Sequence, residues 1–150
     1  MIDAPVTAVT PPPAMSPEDV ELLDIAQALL GRVWVHGRHE VATALRTVGG
    51  GVYTGVHMEG SCRRSSICAE GVALGTARAG IAPGTPLEIA AVVSVQIKPA
   101  GQYRIIAPCG VCRELISDYS ADARIWITGD AGIVAVAALA LLPHKTRRVW

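Results

Sequence analysis

Val20, Leu23, Ala26 and Leu30 recur at helical spacing, and the four residues before them, Ser16-Pro17-Glu18-Asp19, supply a capping hydroxyl, a first-turn proline and two acids. This pattern predicts a first helix that ends near Gly31. From His39 to Thr47 the apolar positions partly alternate, Gly49-Gly50-Gly51 interrupts, and an extended pattern resumes from Val52 to Met58, which together read as a hairpin. Ser65 or Ser66 is placed to cap a second helix through about Ala79. Pro83-Gly84 closes that connection, and Leu87 to Ile97, rich in Val and Ile, suits a central strand. Tyr103 to Ile106 reads as a short strand or the approach to a third helix, which begins around Cys109 and runs to Ser117. Arg124 to Thr128 is a further strand, Gly129-Asp130-Ala131-Gly132 a turn, and the remainder a strand or helix with a Lys/Arg tail. Helices alternating with strands after an early hairpin imply an α/β fold, a mixed sheet with helices on both faces.

Residues 1–14, with Pro11-Pro12-Pro13, contain nothing periodic to bury and read as a flexible or extended Pro-rich arm ahead of one domain over residues 15–150. A chain of 150 residues suits one domain and is short for two. Its apolar share of 51% against 17% charged is high for a domain that stands alone, which points to apolar faces buried between subunits. Thirteen basic residues balance thirteen acidic ones, so no net field gathers phosphates. With 4% aromatics and no Phe, base-stacking platforms are scarce too. The composition argues against a polynucleotide partner and leaves a small molecule. The longest apolar run, Ile133 to Leu142, is well short of the roughly 18 residues that cross a bilayer, and no basic-then-apolar leader opens the chain. The expectation is a cytoplasmic protein without a membrane partner. There, four cysteines serve metal or catalysis more readily than a disulfide framework.

Their spacing sharpens this. Cys68-Ala69-Glu70 stands near one helix start, and Pro108-Cys109-Gly110-Val111-Cys112-Arg113 stands at another. Zn2+ favours thiolate and imidazole ligands, and a catalytic zinc keeps three protein ligands with a fourth position for water. Helix N-termini favour thiolate over thiol, so Cys68, Cys109 and Cys112 could hold the metal if their helices lie side by side. Glu70, two residues beyond a ligand, is then placed to move a proton between water and substrate. Other readings stand beside this one. Cys109 and Cys112 could form a redox pair, Cys62 could complete a closed structural zinc site or, on its own, be an ordinary small buried residue, and His39 and His57 could be ordinary sheet residues. Arg63 and Arg64 could be solvated charges, although they lie in the loop before Cys68.

Ser66-Ile67-Cys68-Ala69-Glu70, followed some forty residues on by the Pro108-to-Arg113 segment, resembles the cytidine deaminase family in its small, homotetrameric, all-cysteine branch. The likeness spans about residues 39 to 143. Gly55-Val56-His57-Met58-Glu59 lies where that family has Gly-x-Asn-x-Glu, and His39-Glu40-Val41-Ala42-Thr43-Ala44-Leu45 matches its Phe-x-Val-Gly-Ala-Ala-Leu strand. Tyr53-Thr54-Gly55-Val56, Leu74-Gly75-Thr76-Ala77 and Leu141-Leu142-Pro143 are also similar to the branch with the blasticidin S deaminases. The resemblance implies a three-layer α-β-α sandwich with a mixed, mostly five-stranded sheet. It also implies zinc on Cys68, Cys109 and Cys112, Glu70 as proton shuttle, and Glu59 on a sugar hydroxyl, with Ala69 beside the substrate. The implied reaction removes an exocyclic amine from a cytidine-like nucleoside or related aminoheterocycle, releasing ammonia. A noncanonical nucleoside or antibiotic such as blasticidin S is the alternative substrate, and a non-catalytic zinc module the alternative class. Three positions depart from the pattern. His57 replaces the Asn, His39 replaces the Phe, and Gly71 stands where many relatives have an Arg that offsets thiolate charge. Arg113 is the candidate for that last duty.

Overall fold

The computed structural model describes residues 5–98 and 101–150; residues 1–4 and 99–100, and the side chain of Arg63, lie outside the description. Helix α1 (Pro17–Val33) starts as its sequence asks, with the Ser16 hydroxyl accepting from the Asp19 N–H, and it continues two residues past Gly31. Strands β1 (Val41–Thr47) and β2 (Val52–Val56) form the antiparallel hairpin. Gly50 makes its turn possible at φ 93°, a conformation that a side chain disfavours. Helix α2 (Ala69–Gly80) leads to β3 (Ile89–Ile97), which pairs antiparallel with β1. The short β4 (Tyr103–Ile105) folds back on the end of β3, and α3 (Gly110–Tyr119) carries the chain to β5 (Arg124–Gly129), parallel to β3. Antiparallel β6 (Gly132–Ala137) follows, then a 3-10 turn, Ala138–Leu141. The strands run in the order β2-β1-β3-β5-β6, with β4 beside β3 as a sixth.

Side-chain alternation along β1 and β3 divides the molecule into three layers. Ala42, Ala44, Ala91, Val93 and Val95 meet Leu22, Leu23, Ala26 and Leu30 of α1 on one face. Leu45, Val92 and Ile125 meet Ala73, Leu74 and Ala77 of α2 and Ile116 of α3 on the other. Residues 5–14 run against the α1 side. Thr7 exchanges backbone hydrogen bonds with the chain around Gln102, the Val9 N–H donates to Gln27, and Val6 and Val9 join that core.

The second helix starts later than its serines suggest. Ser65 closes a 3-10 turn, Arg63–Ser65, by donating to the Cys62 carbonyl, and Ser66 donates to Glu59, so neither caps α2. Cys68 takes that place. The position of α2 on the sheet is set by Gly55, where a Cβ would stand 2.3 Å from the Ala69 carbonyl oxygen and 2.4 Å from the Ala73 nitrogen. Both are backbone atoms, so only glycine lets the first turn of α2 rest on β2.

Asp19, one of the two first-turn acids, is fully buried. Its carboxylate accepts from Arg46 of β1 (2.6 Å) and from Arg124 (2.7 Å) and Trp126 (2.8 Å) of β5, pinning the start of α1 to two strands. Burial opposes its charge, yet the hydrogen bonds from Arg124, Arg46 and Trp126 outweigh burial and hold the carboxyl below its ordinary value. A depressed folded-state pKa stabilises the fold above the unfolded-state value, and that contribution is lost as pH falls through the folded-state value. Asp19→Asn is therefore expected to cost about 3 kcal/mol at neutral pH, since it strands partly buried arginines. In urea denaturation the gap from wild type should begin to close below about pH 4.

Candidate active site

Helices α2 and α3 both begin on cysteine. Cys68 and Cys109 are the N-cap residues, both with extended backbone, and neither side chain makes a capping hydrogen bond. Ser, Thr, Asp or Asn at such a position would accept from the first-turn N–H groups; here a sulfur stands instead. Cys112 lies one turn into α3, and the three sulfurs all fall within 4.8 Å of one another, with Cys68 and Cys109 at 3.4 Å. Tetrahedral thiolates on zinc are roughly 3.8 Å apart for a Zn–S bond of about 2.3 Å, so the cluster has the right size. Cys62 is exposed and outside it.

Without a cation, the thiols resist ionising together. Burial pushes the Cys112 thiol far up, helped by the charges of Glu70, Cys68 and Cys109. Burial also raises Cys68, to about 11, with the hydrogen bond and charge of Cys109 adding to it. Cys109 moves the other way. Burial resists its ionisation, but the backbone N–H of Cys112, the thiols of Cys68 and Cys112, and the Val111 N–H together lower it. Three neighbouring thiolates beside a carboxylate need a divalent cation for balance, and zinc suits three sulfurs.

Glu70 follows on the first turn of α2 and is only 4% exposed. Its Oε1 accepts from the Ser94 hydroxyl at 3.1 Å, while Oε2 lies 3.5 Å from the Cys112 sulfur. Cys68, Cys109, Glu70, Ala69, His57 and Gln96 line a cavity of about 260 Å3, with Val41 and Ile106 among its apolar walls. That is just under the range of about 300–1,000 Å3 common for small-molecule sites. Sequence reasoning did not single out Ser94 or Gln96. Their signal was two polar residues at alternate positions of the otherwise apolar β3, on the face shared with Val92.

The remaining candidates divide. His57 lines the cavity with its Nε2 3.5 Å from Glu59 Oε2, and its buried Nδ1 has no hydrogen-bond partner among the described residues. Glu59 accepts from the Ser66 hydroxyl and the Gly60 N–H, and helps line a second cavity with Gly37, Gly60 and Ser66. His39 is not part of the first cavity's lining. Its Nδ1 lies 2.9 Å from the His57 carbonyl oxygen, so its ring braces the strand end that presents His57. Arg113 hydrogen-bonds two carbonyls, Pro108 at 2.9 Å and Leu141 at 3.1 Å, and so ties the turn before Cys109 to the C-terminal 3-10 turn. Arg64 is exposed.

Purified protein is expected to carry about one zinc per chain by elemental analysis. Cys68→Ala and Cys109→Ala should lose the metal and melt earlier, because bound metal contributes folding free energy, while Cys62→Ser should keep both.

No family model matches the sequence. Blasticidin-S deaminase of Bacillus cereus is 31% identical over 134 residues, 89% of this chain and 96% of that protein. The crystal structure of cytidine deaminase from Burkholderia pseudomallei superposes with a TM-score of 0.68 at 28% identity, covering 85% of this chain and 98% of that one. The cytidine deaminase of Bacillus anthracis has the same fold, with a TM-score of 0.70 at 19% identity over 84% of this chain and 87% of its own. Relatedness along nearly the whole of both chains, carried by a shared fold with a three-cysteine cluster that fits the zinc site of cytidine deaminases, means that this chain belongs to the cytidine deaminase family and is a zinc-dependent hydrolytic deaminase.

Proposed function

We propose that the chain hydrolyses the exocyclic amine of a cytidine-like aminopyrimidine nucleoside or a related aminoheterocycle, with Glu70 as its proton carrier. The observation that carries this reading is a buried carboxylate in the cavity lining, with one oxygen held by Ser94 and the other turned toward the cysteine cluster. Cys68, Cys109 and Cys112 would hold the zinc, which when bound would supply Lewis acidity and make water a nucleophile near neutral pH. Glu70 accepts a proton at Oε2 from the attacking water and passes it to the ring nitrogen, which makes the amine-bearing carbon electrophilic. It then carries the second proton to the departing amine. One water is consumed and one ammonia released, and the carboxylate ends as it began.

In this reading Ala69 and the apolar walls flank the ring, and His57 and Glu59 meet the part of the substrate that bears hydroxyls. With His57 Nε2 turned to Glu59, Nδ1 is left as a buried acceptor without a partner among the described residues. Arg113 holds the Pro108 turn so that Cys109 faces Cys68. The high apolar share and exposed Val35, Met58, Ile67, Val111 and Val134 support assembly of copies, and the family resemblance implies that the assembly is a homotetramer. Free cysteines used for metal suit the cytoplasm. Among the described residues no helix is long and apolar enough to cross a membrane. A second substrate reading, an antibiotic nucleoside such as blasticidin S, is favoured by the Bacillus cereus relative and by the histidine at position 57.

Ammonia release from a panel of cytidine, deoxycytidine, aminopurines and blasticidin S tests the activity. Glu70→Gln should keep zinc and fold while kcat falls by about 10⁴-fold, the upper end for lost acid–base catalysis, because the group serves twice. Turnover within about tenfold of wild type would remove the assigned role.

Cytidine is expected to have a lower kcat/KM than another member of the panel, because an imidazole replaces the amide that would pair with its sugar. His57→Asn should raise cytidine turnover relative to that better substrate. An unchanged ratio of kcat/KM values would show that position 57 does not set the preference.

A further inference from the structure

Thr43 of β1 and Ser94 of β3 are direct cross-strand partners on the sheet face beneath α2, and both are buried. Their hydroxyl oxygens are 2.7 Å apart, and Ser94 Oγ lies 3.1 Å from Glu70 Oε1. An ionised carboxylate only accepts, so Ser94 gives its single proton to Glu70, and Thr43 must then give its own to Ser94. The chain of donation therefore runs from Thr43 through Ser94 to Oε1. On the other oxygen, Oε2, the contact among the described residues is the Cys112 thiol at 3.5 Å. Once Cys112 is a metal-bound thiolate it has no S–H to give, and Oε2 is free for the reacting groups.

We propose that Ser94 and Thr43 are positioning residues for proton transfer. Their hydroxyls hold Oε1 and so fix the carboxylate plane with Oε2 alone toward the chemistry. The inference rests on the reading of Glu70 as proton carrier. Replacing both hydroxyls of the Thr43–Ser94 bond by apolar groups of similar shape is nearly neutral for that bond, and the loss falls on Glu70 Oε1, which is left without its donor. What two buried hydroxyls add is direction, and a small misplacement at a reacting centre is costly to rate.

The test compares kcat and KM of Ser94→Ala, Thr43→Val and both changes together, each also made in Glu70→Gln, with zinc content and melting temperature measured alongside. Ser94→Ala is expected to lower kcat by roughly 10- to 100-fold, the scale of a misplaced reacting group, at wild-type zinc content. KM should stay within about twofold, the sign that transition-state rather than ground-state interactions are lost. Thr43→Val, which keeps the side-chain shape, should cause a smaller fall and add nothing once Ser94 is Ala. In Glu70→Gln neither change should lower the residual rate. A second readout is the infrared carboxylate stretch of 13C-glutamate-labelled protein. Ser94→Ala should shift a band that Glu70→Gln abolishes. If Glu70→Gln is inactive while Ser94→Ala and Thr43→Val turn over like wild type, the positioning role is overturned and that of Glu70 stands. If Glu70→Gln is active, the proton-carrier reading falls, and the infrared band still reports whether the hydroxyls hold the carboxylate. Should Ser94→Ala fail to fold, an unchanged kcat in Thr43→Val overturns the proposal.

Discussion

Three thiol sulfurs that must ionise together beside a buried carboxylate form the constraint on which the rest of this architecture turns. Two of them replace side-chain caps at helix N-termini, so α2 and α3 each give up a local hydrogen bond that commonly contributes about 1 kcal/mol. Contacts from distant parts of the chain hold those helix starts together. Gly55 lets the first turn of α2 rest on the sheet backbone. Arg113 draws the Pro108 turn against Leu141. Lys145, with its side chain 3% exposed, bonds Asp118 at 2.7 Å and the Glu114 carbonyl at 3.0 Å, which fastens the C-terminal segment along α3. Metal binding and correct folding are thus coupled through the same two helices.

Features that depend on neighbours in sequence were readable in advance. The Cys109-x-x-Cys112 spacing, the Ser16 cap and the hairpin around Gly50 each express a local rule, and the structure follows them. The start of α2 did not follow, because Ser65 and Ser66, good caps by type, are engaged by the Cys62 carbonyl and by Glu59. Tertiary demand overrode a local preference there. Thr43 and Ser94 stayed hidden for a related reason. A hydroxyl on a strand reads as half-exposed until a helix covers it, and nothing near position 43 announces that α2 will do so. Lys145 belongs to the Lys/Arg tail, and it is buried against acids of α3 some thirty residues earlier in the chain. The Asp19 cluster reaches 105 residues to Arg124, beyond any window of periodicity.

Asp19 and Glu70 show how one sheet handles two buried carboxylates on opposite faces. Asp19 meets two guanidinium groups and an indole N–H, so both its oxygens are occupied by donors that cannot leave without unpaired charge. That carboxylate is fixed in charge and place, which suits an anchor and disqualifies it from proton traffic. Glu70 receives one hydroxyl at Oε1 and a thiol at Oε2, and no guanidinium or ammonium bonds it among the described residues. Its second oxygen loses even the thiol donor when the sulfur ionises onto a metal. A buried acceptor left short of donors is destabilising, and natural folds retain such groups mainly where the missing partner is a reactant. The two carboxylates therefore differ in how completely each is hydrogen-bonded, and that difference is what the proposed role of Glu70 as proton carrier requires. In this chain the contrast is drawn by β1 and β3, whose alternating residues send apolar side chains toward α1 and Arg46 toward Asp19 on one face, and the Thr43 and Ser94 hydroxyls toward Glu70 on the other.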